Sequence, residues 1–368
     1  MSNRPILYLV LILGTAALLQ WLDRPKSTAP AGTPAGATDG GVAAPRPDAG
    51  KPQGAPPNRH LSGVTALALS PERLLAGDAM GRVHVFPRTG DAKPGWFVAH
   101  AGAIRRLWNR PDGDIGTASA DGSTGRFSPT GELRLRMRLA DGHLNDALPR
   151  GETTVVAADR GIVARLCDPE PCWTQAGTHG AAAFALTGSP DGTLIATGGM
   201  DGRIAIRAPE TGEIKSAWRN GEGWVTALLW APEGVYAGDN GGHVTFWAGA
   251  TAGATAGATG DAAPVSVPLT VGTITALALH ERYLVVGADD GRLTTLTRAE
   301  RLPGPAVGLT GAVRALAIEG DTVYSGDADG HVRRFTLSLA ALVPGTVVDL
   351  EAADSGDAPW PAQAPPAP

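Results

Sequence analysis

From residue 311 the chain reads GAVRALAIEGDTVYSGDADGHVRRF, with apolar positions alternating against small or polar ones over runs too short for a helix. The alternation predicts three β-strands, VRALAI, VYSG and HVRRF, and a tight turn at Asp329-Gly330, because Asp-Gly supplies the positive φ that such a turn demands. The same pattern occurs six times upstream, over 63–86, 102–127, 142–166, 180–206, 223–247 and 272–296. Its turn glycines are Gly81, Gly122, Gly161, Gly202, Gly242, Gly291 and Gly330, spaced 41, 39, 41, 40, 49 and 39 residues apart. One such sheet cannot bury its own faces, so the recurrence is what makes a fold.

A period near forty is that of a four-stranded propeller blade. A fourth strand is predicted after each third one, at 96–99, 132–139, 172–175, 213–218, 265–269, 306–309 and 347–350. The predicted fold is therefore all-β, a seven-bladed β-propeller of four-stranded antiparallel blades over residues 61–351. Radial closure leaves only short protected sheet edges. The pattern leaves open whether residues before Gly63 supply the last outer strand. The single long spacing comes from the low-complexity run GATAGATAGATGD at 249–261, predicted to be a mobile loop on the face opposite the Asp-Gly turns.

Outside the repeats the pattern changes. Residues 6–22, ILYLVLILGTAALLQWL, carry no charge and reach about 26 Å as a helix, near the lower limit for a bilayer core. The preferred reading of 1–23 is an uncleaved transmembrane anchor, since Trp21 suits the membrane interface and the apolar run continues past Thr15 and Ala17. A cleaved signal peptide is the alternative. Residues 24–60 are dominated by Ala, Pro, Gly and Asp and are expected to be a disordered linker; 352–368, with Trp360 among prolines, are expected to be a disordered tail. Fifty Gly and thirty Pro fit a turn-rich β protein, and a net charge of −5 without a basic stripe argues against a nucleic-acid partner.

On these residues the chain resembles the WD40-repeat β-propeller family over roughly 61–351. In that family a His before the first strand, a Ser or Thr in the second, the turn Asp and a Trp in the third form a structural hydrogen-bond network. The resemblance implies such networks at His100, Thr117 and Asp121 in blade two and at His179, Thr197 and Asp201 in blade four, both lacking the Trp. Blade seven keeps Ser325 and Asp329, blade three His143, and blade five Trp247. Segments such as 201–218 also resemble quinoprotein-like propellers, although no quinone or calcium site is recognisable.

The chemistry that remains is sparse. A His-Asp pair with a Thr nucleophile is conceivable in blades two and four, but repetition at equivalent positions marks a blade-stabilising network rather than one active site. The eight histidines are scattered without metal-ligand spacing, so no catalytic residue, metal or cofactor is expected. Cys167 and Cys172, the two cysteines, stand in CDPEPC; a disulfide closing this loop would contribute about 2 kcal/mol on the loop-entropy model and would suit an oxidising compartment. With two free thiols as the alternative, the disulfide reading puts the propeller in the periplasm, assuming a bacterial source, tethered to the inner membrane with its N-terminus inside; a secreted form or the same scaffold facing the cytoplasm are the less favoured alternatives. The expected function is a non-enzymatic scaffold whose top face, where the Asp-Gly turns lie, binds a protein or peptide partner. The candidate contacts are Trp224, Arg105, Asn145, Thr226, Thr275, Asp289 and Arg314, with Trp and Arg as the usual energetic anchors. A quinoprotein-like enzyme or small-ligand sensor is the alternative.

Overall fold

The computed structural model describes residues 62–88, 93–139, 142–168, 170–221, 223–249, 264–270 and 272–350. The anchor, linker and tail expectations fall outside these residues, as does nearly all of the low-complexity run. No helix among the described residues is long and apolar enough to cross a membrane.

Seven four-stranded antiparallel sheets follow one another, each with its strands in chain order. The innermost strands are Val64–Leu69, Ile104–Asn109, Leu144–Arg150, Ala183–Gly188, Val225–Ala231, Ile274–Leu279 and Val313–Glu319. All seven turn glycines have positive φ, between 67° and 87°. The ring is thus built from one repeated unit of alternating apolar residues and left-handed turns.

The core is divided among the seams. Among the described residues there are seven buried apolar clusters, and each joins two neighbouring blades. The first residue of each innermost strand is a knob whose socket is a small residue on the second strand of the preceding blade. Ile104, Val225, Ile274, Val313 and Val64 sit over Gly77, Gly198, Gly238, Gly287 and Gly326, where an added Cβ would overlap them. Where the knob changes the socket changes too: Leu144 clusters with Ala118, and Ala183 with Ala157.

Blade seven is completed by its own outer strand, Ala341–Asp349, paired with His331–Ser338. This strand begins six residues before the predicted 347–350. The cause is a two-residue reversal at Leu339 and Ala340, with φ of 48° and 70°, which extends the hairpin without Gly or Asn to announce it. Blades seven and one therefore close by packing. Val64, Leu74, Ala76 and Phe86 meet Tyr324, Val332, Val348 and Leu350, and Arg88 is ion-paired to Glu319 across the seam.

Candidate functional site

Every innermost strand carries a β-bulge at its second residue, which has no partner in the adjacent strand. These residues are Thr65, Arg105, Asn145, Phe184, Thr226, Thr275 and Arg314. They lie at the end nearest the Asp-Gly turns and so ring the top mouth of the central channel. A bulge leaves its extra residue out of the ladder and re-aims the side chain. Five of the seven predicted contact residues prove to be one repeated structural position. Thr65 and Phe184 complete the ring and were missed, although the second residue of each predicted first strand would have found them.

The ring divides by chemistry. Thr226 Oγ1 donates to Ile274 O at 2.6 Å, Thr275 Oγ1 to Val313 O at 2.5 Å, and Asn145 Nδ2 to Ala183 O at 3.0 Å. Each acceptor is the first residue of the next blade's innermost strand, so these three side chains fasten blade to blade. Phe184 packs against Trp224, with ring centroids 6.3 Å apart. Trp224 is half-buried, and its backbone N–H donates to Asn240 Oδ1 at 2.7 Å. Asp289 lies outside the ring, in the blade-six turn, where Oδ1 accepts the Thr273 N–H at 2.6 Å.

Arg105 and Arg314 make no hydrogen bond or ion pair among the described residues, and Arg105 Nε is fully shielded without an acceptor. Burial holds the Arg105 guanidinium below the usual arginine range; Asp159 and Asp146 oppose this, while Arg314 adds to it. The neighbouring Arg106 is different. It pairs with Asp146 at 3.0 Å and donates to Ala147 O, while Asp146 also accepts the Leu186 N–H at 2.8 Å. That ion pair ties blades two, three and four together. Burial, partly offset by Arg106, raises the Asp146 carboxyl.

The two histidine networks lie inside the blades. His100 Nδ1 is 3.0 Å from Asp121 Oδ2, and Nε2 is 2.7 Å from Thr117 Oγ1. His179 makes the matching contacts with Asp201 at 3.0 Å and Thr197 at 2.8 Å. Burial pushes His100 down to about 4 and also lowers His179, so both rings are neutral at pH 7. A neutral ring donates from Nδ1 to the Asp and accepts the Thr hydroxyl at Nε2. Thr117 and Thr197 are wholly buried, where no substrate reaches them.

The corner for which the resemblance implies a Trp is filled differently in each blade. In blade two Phe127 lies edge-on to His100. In blade four Arg207 donates from Nε to Thr197 Oγ1 at 3.2 Å and from Nη1 to Gly212 O at 3.0 Å. It is fully buried, Nη2 has no partner, and burial lowers it to about 10. In blade five Trp247 Nε1 donates to Asn220 Oδ1 at 2.9 Å. His143 is exposed, and Ser325 Oγ is buried without a partner.

A second turn chemistry was missed. In blades one, five and seven the turn amides are accepted by Asp78, Asp239 and Asp327 at the end of the second strand. A Gly-Asp dipeptide closing that strand is its sequence signal. Asp327, Asp329 and His331 have the donor types of a cation site and lie within 4.8 Å of one another. Asp327 already accepts both turn amides, however, and Arg333 Nε is 3.0 Å from its other oxygen. A cation would meet the guanidinium there. Cys167 and Cys172 form a disulfide on the opposite face of blade three, with Cα atoms 5.6 Å apart.

The sequence model of the family described as "WD domain, G-beta repeat" matches residues 171–206, within blades three and four. The crystal structure of the computationally designed protein Ika8 is similar at a TM-score of 0.59 and 21% identity, covering 75% of this chain and 97% of that one. The crystal structure of Saccharomyces cerevisiae Sqt1 is similar at 0.60 and 14% identity, covering 79% and 86%. At these identities the likeness concerns the fold. No curated protein sequence matches the chain.

Proposed function

We propose that this WD40-like seven-bladed propeller is a non-enzymatic scaffold that binds a protein partner at the top mouth of its channel and is tethered to a membrane in the cell envelope. The observation that carries the reading is the division of the mouth ring. Asn145, Thr226 and Thr275 are engaged in joining blades, whereas Arg105, Arg314 and the Phe184–Trp224 pair are left to face a partner. Arginine and aromatic side chains are the types that anchor protein interfaces. The sealed His-Asp-Thr sets argue against hydrolytic chemistry.

Localisation rests on separate support. The uncharged run 6–22 has the length of a short membrane anchor, residues 24–60 have the composition of a linker, and a Cys167–Cys172 disulfide suits an oxidising compartment such as the periplasm. The test is photocrosslinking in intact cells with p-benzoylphenylalanine in place of Trp224, followed by mass spectrometry. One dominant envelope protein is expected. A purified chain that instead carries a stoichiometric small molecule, with no protein captured, overturns the scaffold reading.

A further inference from the structure

We infer that the channel mouth is a carboxylate-binding site, in which Arg105 and Arg314 receive the acidic side chains of a partner peptide and the Phe184–Trp224 pair receives an apolar side chain beside them. The inference rests on the top-face reading above and deepens it by naming the chemistry of the partner.

Position supplies the first argument. Arg105 and Arg314 occupy the same bulge position in blades two and seven, flanking Thr65 of blade one. In a ring of seven the seam between blades four and five lies across from blade one, and that seam carries Phe184 and Trp224. One wall of the mouth is therefore cationic and the other aromatic. Pairing supplies the second. Arg82, Arg88, Arg106, Arg126 and Arg298 all pair with carboxylates, whereas no carboxylate lies within ion-pair distance of either mouth arginine among the described residues. Asp159 and Asp146 act on Arg105 only through space, and Asp146 is already held by Arg106. Two like charges at a partly desolvated mouth repel each other, and an entering carboxylate reverses that cost. A guanidinium fork also matches a carboxylate bidentately.

The test titrates the full chain with the fluorescently labelled peptide EEWEEG and its uncharged counterpart QQWQQG. A charge-assisted contact of about 1.5–3 kcal/mol predicts roughly ten- to hundredfold tighter binding of the acidic peptide. The preference should fall towards unity in Arg105→Gln/Arg314→Gln and survive in part in Arg105→Lys/Arg314→Lys. In the unaltered chain it should also collapse when salt rises from about 0.05 M to about 0.5 M, a readout that needs no variant. Equal binding of the two peptides, or a preference that persists in the Gln variant, overturns the inference. The described chain ends on this face at Leu350, whose N–H donates to Gly330 O, and the sequence beyond it contains Glu351, Asp354, Asp357 and Trp360. Binding that appears only in Glu351→Gln/Asp354→Asn/Asp357→Asn would make the tail the occupant and overturn the partner peptide as its source. Photocrosslinked capture that is undiminished in the Arg105→Gln/Arg314→Gln chain would sink this inference while leaving the scaffold reading intact. Peptide preference without any captured protein would do the reverse.

Discussion

The seam between blades seven and one is closed by packing, so a clash placed there tests how the ring is held. Gly326→Ala is the perturbation. A Cβ at 326 would lie 2.9 Å from Val64 Cβ and closer still to Cγ1, a separation that real contacts do not show. Val64 is wholly buried in a strand and has nowhere to move. Forcing one extra methyl into such a core costs about 1–3 kcal/mol. Val64→Ala alone removes two buried methyl-sized groups at about 0.8 kcal/mol each and leaves part of a cavity, about 2 kcal/mol together. The double variant removes the Cγ1 overlap and leaves only the 2.9 Å approach of the two Cβ atoms, which a small backbone shift opens towards the arrangement native to blades three and four, where Ala157 meets Ala183. It should therefore cost little more than Val64→Ala, a coupling of about 2 kcal/mol. Urea unfolding of the four proteins measures this cycle. Single effects that add to within about 0.5 kcal/mol would refute the knob-and-socket account.

Three further outcomes follow from buried or strained groups. His100 is held at about 4, against 6.5 for a free imidazole, so the unfolded chain takes up a proton that the folded chain refuses. The stabilisation is complete above pH 6.5 and is lost as pH falls from there through about 4, about 3 kcal/mol in all. His100→Gln should flatten this acid limb in urea titrations, and an unchanged slope contradicts it. Leu339→Asn/Ala340→Gly places the preferred residues in a turn whose two φ values are positive, and should raise stability by about 1–2 kcal/mol; a lower unfolding midpoint would reject the strain. Arg207→Met removes a buried cation whose depression from 12.5 to about 10 corresponds to about 3 kcal/mol. Against the loss of its hydrogen bonds to Thr197 and Gly212, the expected net gain is about 1 kcal/mol, and a marked loss of stability would show that those bonds dominate.

The blades were legible because each carries its instructions locally: alternating apolar positions, and a turn whose glycine must take positive φ. The last outer strand was not, because its turn is made by Leu339 and Ala340, residues that avoid that conformation and are held in it by the paired strands around them. The mouth was half legible. Arg105, Asn145, Thr226, Thr275 and Arg314 stand out as polar residues at the head of predicted strands, but that they share one bulge is a matter of strand register, which no single strand specifies. In the sequence, Phe184 is one more apolar residue of a predicted strand. Its exposure to the mouth follows from the bulge.

Seven equivalent positions also offer a comparison within one molecule. At the mouth, the hydroxyls of Thr226 and Thr275 and the amide of Asn145 reach the next blade's first carbonyl, so polarity at those positions is explained by the ring itself. The same position in blades two and seven carries guanidiniums that make no hydrogen bond or ion pair among the described residues, and Arg105 Nε is buried without an acceptor. An arginine is a poor fastener there, since its length carries the donors beyond the neighbouring carbonyl, and at Arg105 the charge is also desolvated, which Asp159 and Asp146 offset only in part. A ring needing only cohesion is better served by threonine, as blades five and six demonstrate. The departure from the repeat at Arg105 and Arg314 thus brings the fold no hydrogen bond or ion pair in return inside the described residues. The return is expected from outside them, at the mouth the two side chains share.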